Sequence, residues 1–248
     1  MTPPTLADWL LLFLAAWGVG LSKSGLAGVG LVHVLIFAWV FGARASTGIL
    51  LPLLIVGDVG AVTLVGRDAV WKSIQRLMPP AWCGIIIGWF LLDRLVESQF
   101  RVVIGTIILL LSIGQAIRMW RPLWMAHVPH ASWFVIMIGV LTGVTTMLAN
   151  AAGPIVALYL LAIGLPKHKL VATGSWFFLI VNLSKVPFST QLGLIDSSTL
   201  LINLSLAPMV LIGLGCGRWV VRKIPQRIFD SLLLAFTAFA ALRLIGIF

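Results

Sequence analysis

The feature that most constrains this chain is a succession of apolar runs, each about as long as a bilayer is thick. They cover Leu6–Val40, Gly48–Gly66, Pro79–Leu92, Val102–Met119, Ser132–Gly164, Leu170–Thr190, Thr199–Trp219 and Ile228–Ile247. A membrane-spanning helix takes about 20 apolar residues. Only short polar loops, such as Arg67–Arg76 and Arg118–His130, part the runs. Charged residues are 10% of the 248 positions, against about 25% in a soluble domain. A globule in water could not hide this much apolar surface, so lipid is the expected solvent. The expected fold is an all-α integral membrane protein of eight hydrophobic segments, multi-pass in a bacterial inner membrane.

Two runs are anomalous. Leu6–Val40 has 35 residues and Ser132–Gly164 has 33. Each is too long for one span and too short for two. Each is also interrupted near its middle: the first by Gly20-Leu-Ser-Lys-Ser-Gly-Leu-Ala-Gly-Val-Gly30, the second by Thr145-Thr-Met-Leu-Ala-Asn-Ala-Ala-Gly-Pro154. A shift of 126 positions lays Ala45-Ser-Thr-Gly48 on Val171-Ala-Thr-Gly174, and Gly25–Gly28 on Ala151–Pro154. The chain therefore divides into two homologous halves, residues 1–125 and 126–248, each opening on a broken or re-entrant segment. Gly and Ala at such places also serve close helix packing. A Lys inside the first break and an Asn beside a Gly-Pro in the second tip the balance toward a binding site.

Charge fixes the expected topology. Lys and Arg number 17 against 7 Asp and Glu, a net +10, and no basic cluster lies on a soluble segment, so no nucleic-acid partner is implied. If every run crosses once, the loop Lys and Arg divide 9 to 6. If both broken segments return to their own side, they divide 11 to 4, with only Arg44, Arg94, Arg101 and Arg243 on the poorer side. The second division obeys the positive-inside rule better. It leaves three full spans per half, which inverts the second half relative to the first, with both termini in the periplasm. Arg44 reads as a topology determinant.

The candidate site follows from the breaks. Non-helical backbone at membrane depth survives only inside protein or beside a water-filled cavity. Helices restarting near Ser24–Gly30 and Ala151–Pro154 would present free N–H groups and the positive end of their dipoles to an anion. Lys23 is the expected main counter-charge, since an intramembrane Lys marks function. Ser22, Ser24, Gly25, Thr145, Thr146, Asn150 and Gly153 are candidate substrate contacts, with helix capping the rival role for the hydroxyls and the amide. Asn182 and Lys185 lie one turn apart in Leu170–Thr190 and join the list. Asp58, the one acid well within a run, either pairs with Lys23 or Lys185 or carries a coupling proton.

Other chemistries find little support. Cys83 and Cys216 lack CxxC spacing, and His33, His127, His130 and His168 form no metal motif, so no metal or cofactor is implied. A serine hydrolase built on Ser22 or Ser24 would need His33 as its base on the same short stretch, so no enzyme is expected. His33 reads as a packed, hydrogen-bonded histidine. A secondary transporter of a small anion remains, with a passive channel or a structural subunit as the alternative; a homodimer is left open.

The chain resembles the sulfite exporter TauE/SafE family, small bacterial membrane proteins with duplicated halves. The likeness rests on Gly20–Gly30, Ala45-Ser-Thr-Gly48, Ala149-Asn-Ala-Ala-Gly-Pro154 and Ala172-Thr-Gly174. Many members carry consecutive glycines at each break, where this chain has Lys-Ser-Gly-Leu-Ala-Gly and Ala-Asn-Ala-Ala-Gly. The resemblance implies transport of sulfur-containing anions such as sulfite, sulfoacetate or other sulfonates, often outward.

Overall fold

The computed structural model describes residues 4–25, 29–120, 132–223 and 242. Among these the fold is all-α: α1 Leu6–Lys23, α2 Val29–Phe41, α3 Ala43–Val65, α4 Trp71–Arg94, α5 Glu97–Trp120, α6 Ser132–Ala149, α7 Gly153–Ala162, α8 Lys167–Gln191 and α9 Ser197–Lys223. Six stretches of helix are long and apolar enough to cross a membrane, within α1, α3, α5, α6, α8 and α9. The last apolar run expected from sequence, Ile228–Ile247, lies outside the described residues apart from Leu242.

Both anomalous runs are broken where their residues suggest. α1 stops at Lys23 and α2 starts at Val29; α6 stops at Ala149 and α7 starts at Gly153. At the first break, the N–H groups of Ser24 and Gly25 fold back onto Leu21 O and Ser22 O, and Gly25 adopts φ +109°, a conformation closed to most side chains. At the second, Asn150 adopts φ +52°, the left-handed region that Asn tolerates better than most. Pro154 then sits in the first turn of α7, where its missing N–H costs nothing. α2 and α7, at 13 and 10 residues, reach only about 20 and 15 Å, short of a hydrocarbon core about 30 Å thick. Each packs against the helix before it.

α1 packs along α9, α6 packs along α4, and α3 packs against α8 between them. The two outer crossings are built alike. A Cβ on Gly20 would overlap the backbone of Val210, and one on Gly213 that of Trp17; a Cβ on Gly143 would overlap Ala81, and one on Gly84 would overlap Val140. Each helix thus uses two positions three residues apart, and each crossing is closed by one glycine from either side. Backbones can approach this closely only without side chains between them.

Large apolar side chains such as Leu10, Leu14, Trp133, Ile136, Leu204 and Leu211 are exposed on the outside, whereas Asp58, Lys185, Asn182, Thr146 and His33 are buried. That distribution suits lipid outside and a polar interior. α4 is longer than its apolar run because its first two turns are amphipathic: Ser73, Ile74, Leu77 and Met78 are buried, while Lys72, Gln75 and Arg76 are exposed. Pro79 and Pro80 lie inside the helix, with the Pro80 ring filling the space left by Gly139 of α6.

Side chains from other helices hold the turns. Glu97, first residue of α5, accepts the Ala43 N–H at 2.8 Å and the Arg44 N–H at 3.4 Å, so a carboxylate from another helix caps the N-terminus of α3. Arg44 donates in return to Leu95 O at 3.2 Å. The turn between α3 and α4 is tied to α8: the Val70 N–H donates to Thr173 Oγ1 at 2.9 Å, and Trp176 Nε1 donates to Gly66 O at 3.1 Å.

Candidate anion site between two broken helices

A cavity of about 550 Å³ opens between the two breaks. Ser22, Lys23 and Gly25 line it from the first break, and Thr146, Asn150 and Gly153 from the second. Asp58 of α3, His33 of α2, and Lys167, Ser175 and Asn182 of α8 add to its polar wall, while Leu54, Val156, Leu160 and Phe178 contribute to an apolar one. Residues far apart in sequence therefore meet because each half delivers a helix end to the same space.

The Lys23 ammonium lies 2.6 Å from Asp58 Oδ1 and 5.1 Å from the centre of the Phe178 ring, a cation–π arrangement. Asp58 Oδ2 accepts from Asn182 Nδ2 at 2.7 Å. Asn182 then presents its oxygen to Lys185 at 3.4 Å. Its amide orientation follows from chemistry, since a carboxylate only accepts and an ammonium only donates. Lys185 also donates to Thr146 Oγ1 at 3.2 Å and makes a short hydrogen bond to Asn150 Oδ1. Asn150 Nδ2 closes the network on Thr47 O at 2.8 Å.

The two lysines differ in their counter-charge. Lys23 is paired with a carboxylate and keeps 14% of its side chain exposed. Lys185 is 1% exposed, and its three acceptors are all neutral. Among the described residues no carboxylate lies within ion-pair distance of it. With both lysines charged and Asp58 ionised, the network carries one surplus positive charge. A buried charge left without a counter-charge is costly. No group of three or more His, Cys, Asp or Glu able to hold a metal ion occurs among the described residues.

The remaining expected residues are distributed unevenly. The Ser22 hydroxyl lies on the cavity wall but donates to Val19 O at 2.7 Å, and Ser24 donates to Leu21 O at 2.7 Å, so both proton donors are spent on their own helix. Thr145 is buried and lies away from the cavity lining, as does Ser24. Lys185 stands behind that lining and reaches it through Thr146, Asn150 and Asn182. Phe178 was not singled out in the sequence, yet Ser175, Phe178, Asn182 and Lys185 follow helical spacing and share one face of α8. That mixed polar face in an apolar run is the signal that would have found it. His33 is packed as expected, but its Nδ1 has no hydrogen-bond partner among the described residues.

The profile of the sulfite exporter TauE/SafE family matches residues 12–244, nearly the whole chain and both breaks. The chain belongs to the sulfite exporter TauE/SafE family. TauE/SafE proteins are membrane transporters, so this is a multi-pass membrane transport protein. No curated protein and no solved structure matches it.

Proposed function

We propose that the chain is a secondary transporter of a small sulfur-containing anion, such as sulfite, sulfoacetate or a similar organosulfonate, in a bacterial inner membrane. The anion binds in the cavity between the two helix breaks. The observation that carries this reading is Lys185, a fully buried cation whose partners are all neutral, in a network where two lysines share one carboxylate. A bound anion supplies the missing charge. A cavity of about 550 Å³ is also in the range of small-molecule sites, with room for an oxyanion and a short organic tail.

Residues 1–125 and 126–248 form two repeats of opposite orientation, with α1–α2 and α6–α7 as re-entrant hairpins in a set of eight segments and both termini in the periplasm. Two observations support this. The 11-to-4 division of loop charges favours the hairpin topology. The crossing of α1 with α9 and that of α6 with α4 use the same pattern of small residues, exchanged between halves. Inverted repeats meeting at broken helices are a common frame for alternating access. Asp58 neutralises Lys23 in this state, so an anion gains Lys23 only when Asp58 releases it. That ties Asp58 to coupling, either by moving or by taking a proton.

The test is transport by purified protein in liposomes. Labelled sulfite should show saturable uptake that is accelerated by unlabelled sulfite on the far side. Uptake that never saturates and shows no such counterflow would mark a pore and reject the carrier.

A further inference from the structure

α2 is apolar throughout, Val-Gly-Leu-Val-His-Val-Leu-Ile-Phe-Ala-Trp-Val-Phe, except for His33. The side chain is 2% exposed, so it does nothing for solubility. A histidine buried for structural reasons ordinarily has its ring nitrogens hydrogen-bonded, yet Nδ1 of His33 has no partner among the described residues. His33 lies one turn past the first break, and it lines the same cavity as Lys23 and Asp58. The hydroxyls of Ser22 and Ser24 already donate to Val19 O and Leu21 O.

We propose that His33 is a direct ligand of the transported anion, donating a hydrogen bond from its imidazole N–H to a substrate oxygen. This rests on the reading of the cavity as the anion site. A neutral imidazole carries one proton. Nδ1 is walled off within the protein, so Nε2 is the nitrogen left to face the cavity and hold that proton. The surplus positive charge of the lysine network attracts any anion. A ring fixed by packing supplies direction, which favours an anion with an oxygen at the right place. It does so without placing a further full charge in the interior, where each one is expensive.

The test is equilibrium binding of sulfite and of isethionate to purified wild type, His33→Leu, His33→Gln and Lys185→Met, each melted without ligand as a control of folding. His33→Leu should weaken binding about tenfold or more, the usual consequence of losing a hydrogen bond to a charged group. Its ligand-free melt should hold. His33→Gln, whose amide can still donate, should recover part of the affinity. Wild-type affinity in His33→Leu, alongside lost binding in Lys185→Met, would overturn the assignment of His33 and leave the cavity as the site. Wild-type affinity in both variants would overturn the site itself. If His33→Leu fails to fold, imidazole ¹⁵N resonances of the wild type decide. Saturating sulfite should shift the His33 Nε2 signal, and an unmoved signal rejects the contact.

Discussion

The two helix breaks use one backbone device and two opposite electrostatic arrangements. In the first, Gly25 turns the chain at φ +109°, and the adjoining Lys23 is neutralised by Asp58 at 2.6 Å. In the second, Asn150 turns the chain at φ +52° and binds Lys185 through its side-chain oxygen, with no carboxylate beside it among the described residues. The first break is electrically closed and the second is open. A single Asn182 amide joins them, donating to Asp58 and accepting from Lys185. The first break balances its own charge; in the function proposed above, the second leaves a charge for the anion to balance.

The largest effect expected from breaking this contrast is on Asp58. Asp58→Ala strands the Lys23 ammonium and the Asn182 amide, and removal of one partner of a buried pair typically costs about 3–5 kcal/mol. Replacing both, as Lys23→Met with Asp58→Leu, should restore most of that loss in thermal or denaturant unfolding of the purified protein. Lys185→Met should cost far less than Asp58→Ala, since it removes a cation that has no counter-charge. If the two single variants destabilise alike, the electrostatic contrast between the breaks is wrong.

A smaller effect sharpens the structural likeness of the halves. Gly20→Val and Gly143→Val each push a side chain into the backbone of the facing helix. Overpacking of this kind costs about 1–3 kcal/mol. Similar losses at both positions are expected from matched crossings. A loss confined to one would separate the two halves. The smallest effect concerns the second break alone. Asn150→Ala and Asn150→Gly lose the same hydrogen bonds, but only Ala is strained at positive φ. The Gly variant should be the more stable by about 1–2 kcal/mol, and equal melting points would show that Asn150 leaves that conformation at little cost.

Both breaks were legible in the sequence because their signals are local. Glycines and a Lys interrupt one apolar run, and an Asn before Gly-Pro interrupts the other. Asp58, Asn182 and Lys185 stood out for a related reason, as polar groups in segments that otherwise face lipid or pack on one another. Their partners were not legible. Lys23 finds Asp58 across 35 positions, and Asn182 finds Asp58 across 124, distances over which only the packing of α1, α3 and α8 decides. Without that packing, Lys23 looked like the main counter-charge; in the structure its charge is already matched by Asp58. The start of α4 was missed because an apolar-run criterion passes over Trp71–Met78, where polar and buried residues alternate with helical period. The orphaned Nδ1 of His33 has no sequence signal at all, since the presence or absence of a partner depends on neighbouring helices.

The most direct measurement is the affinity of sulfite for Lys185→Met against wild type, with Lys23→Met measured beside them. The ligand-free melt confirms that each variant is folded. If the second break is the electrically open one, Lys185→Met keeps its fold and binds sulfite about tenfold to a hundredfold more weakly. Wild-type affinity in folded Lys185→Met would contradict the account, because a buried cation with no carboxylate beside it among the described residues would then have no part in holding the anion.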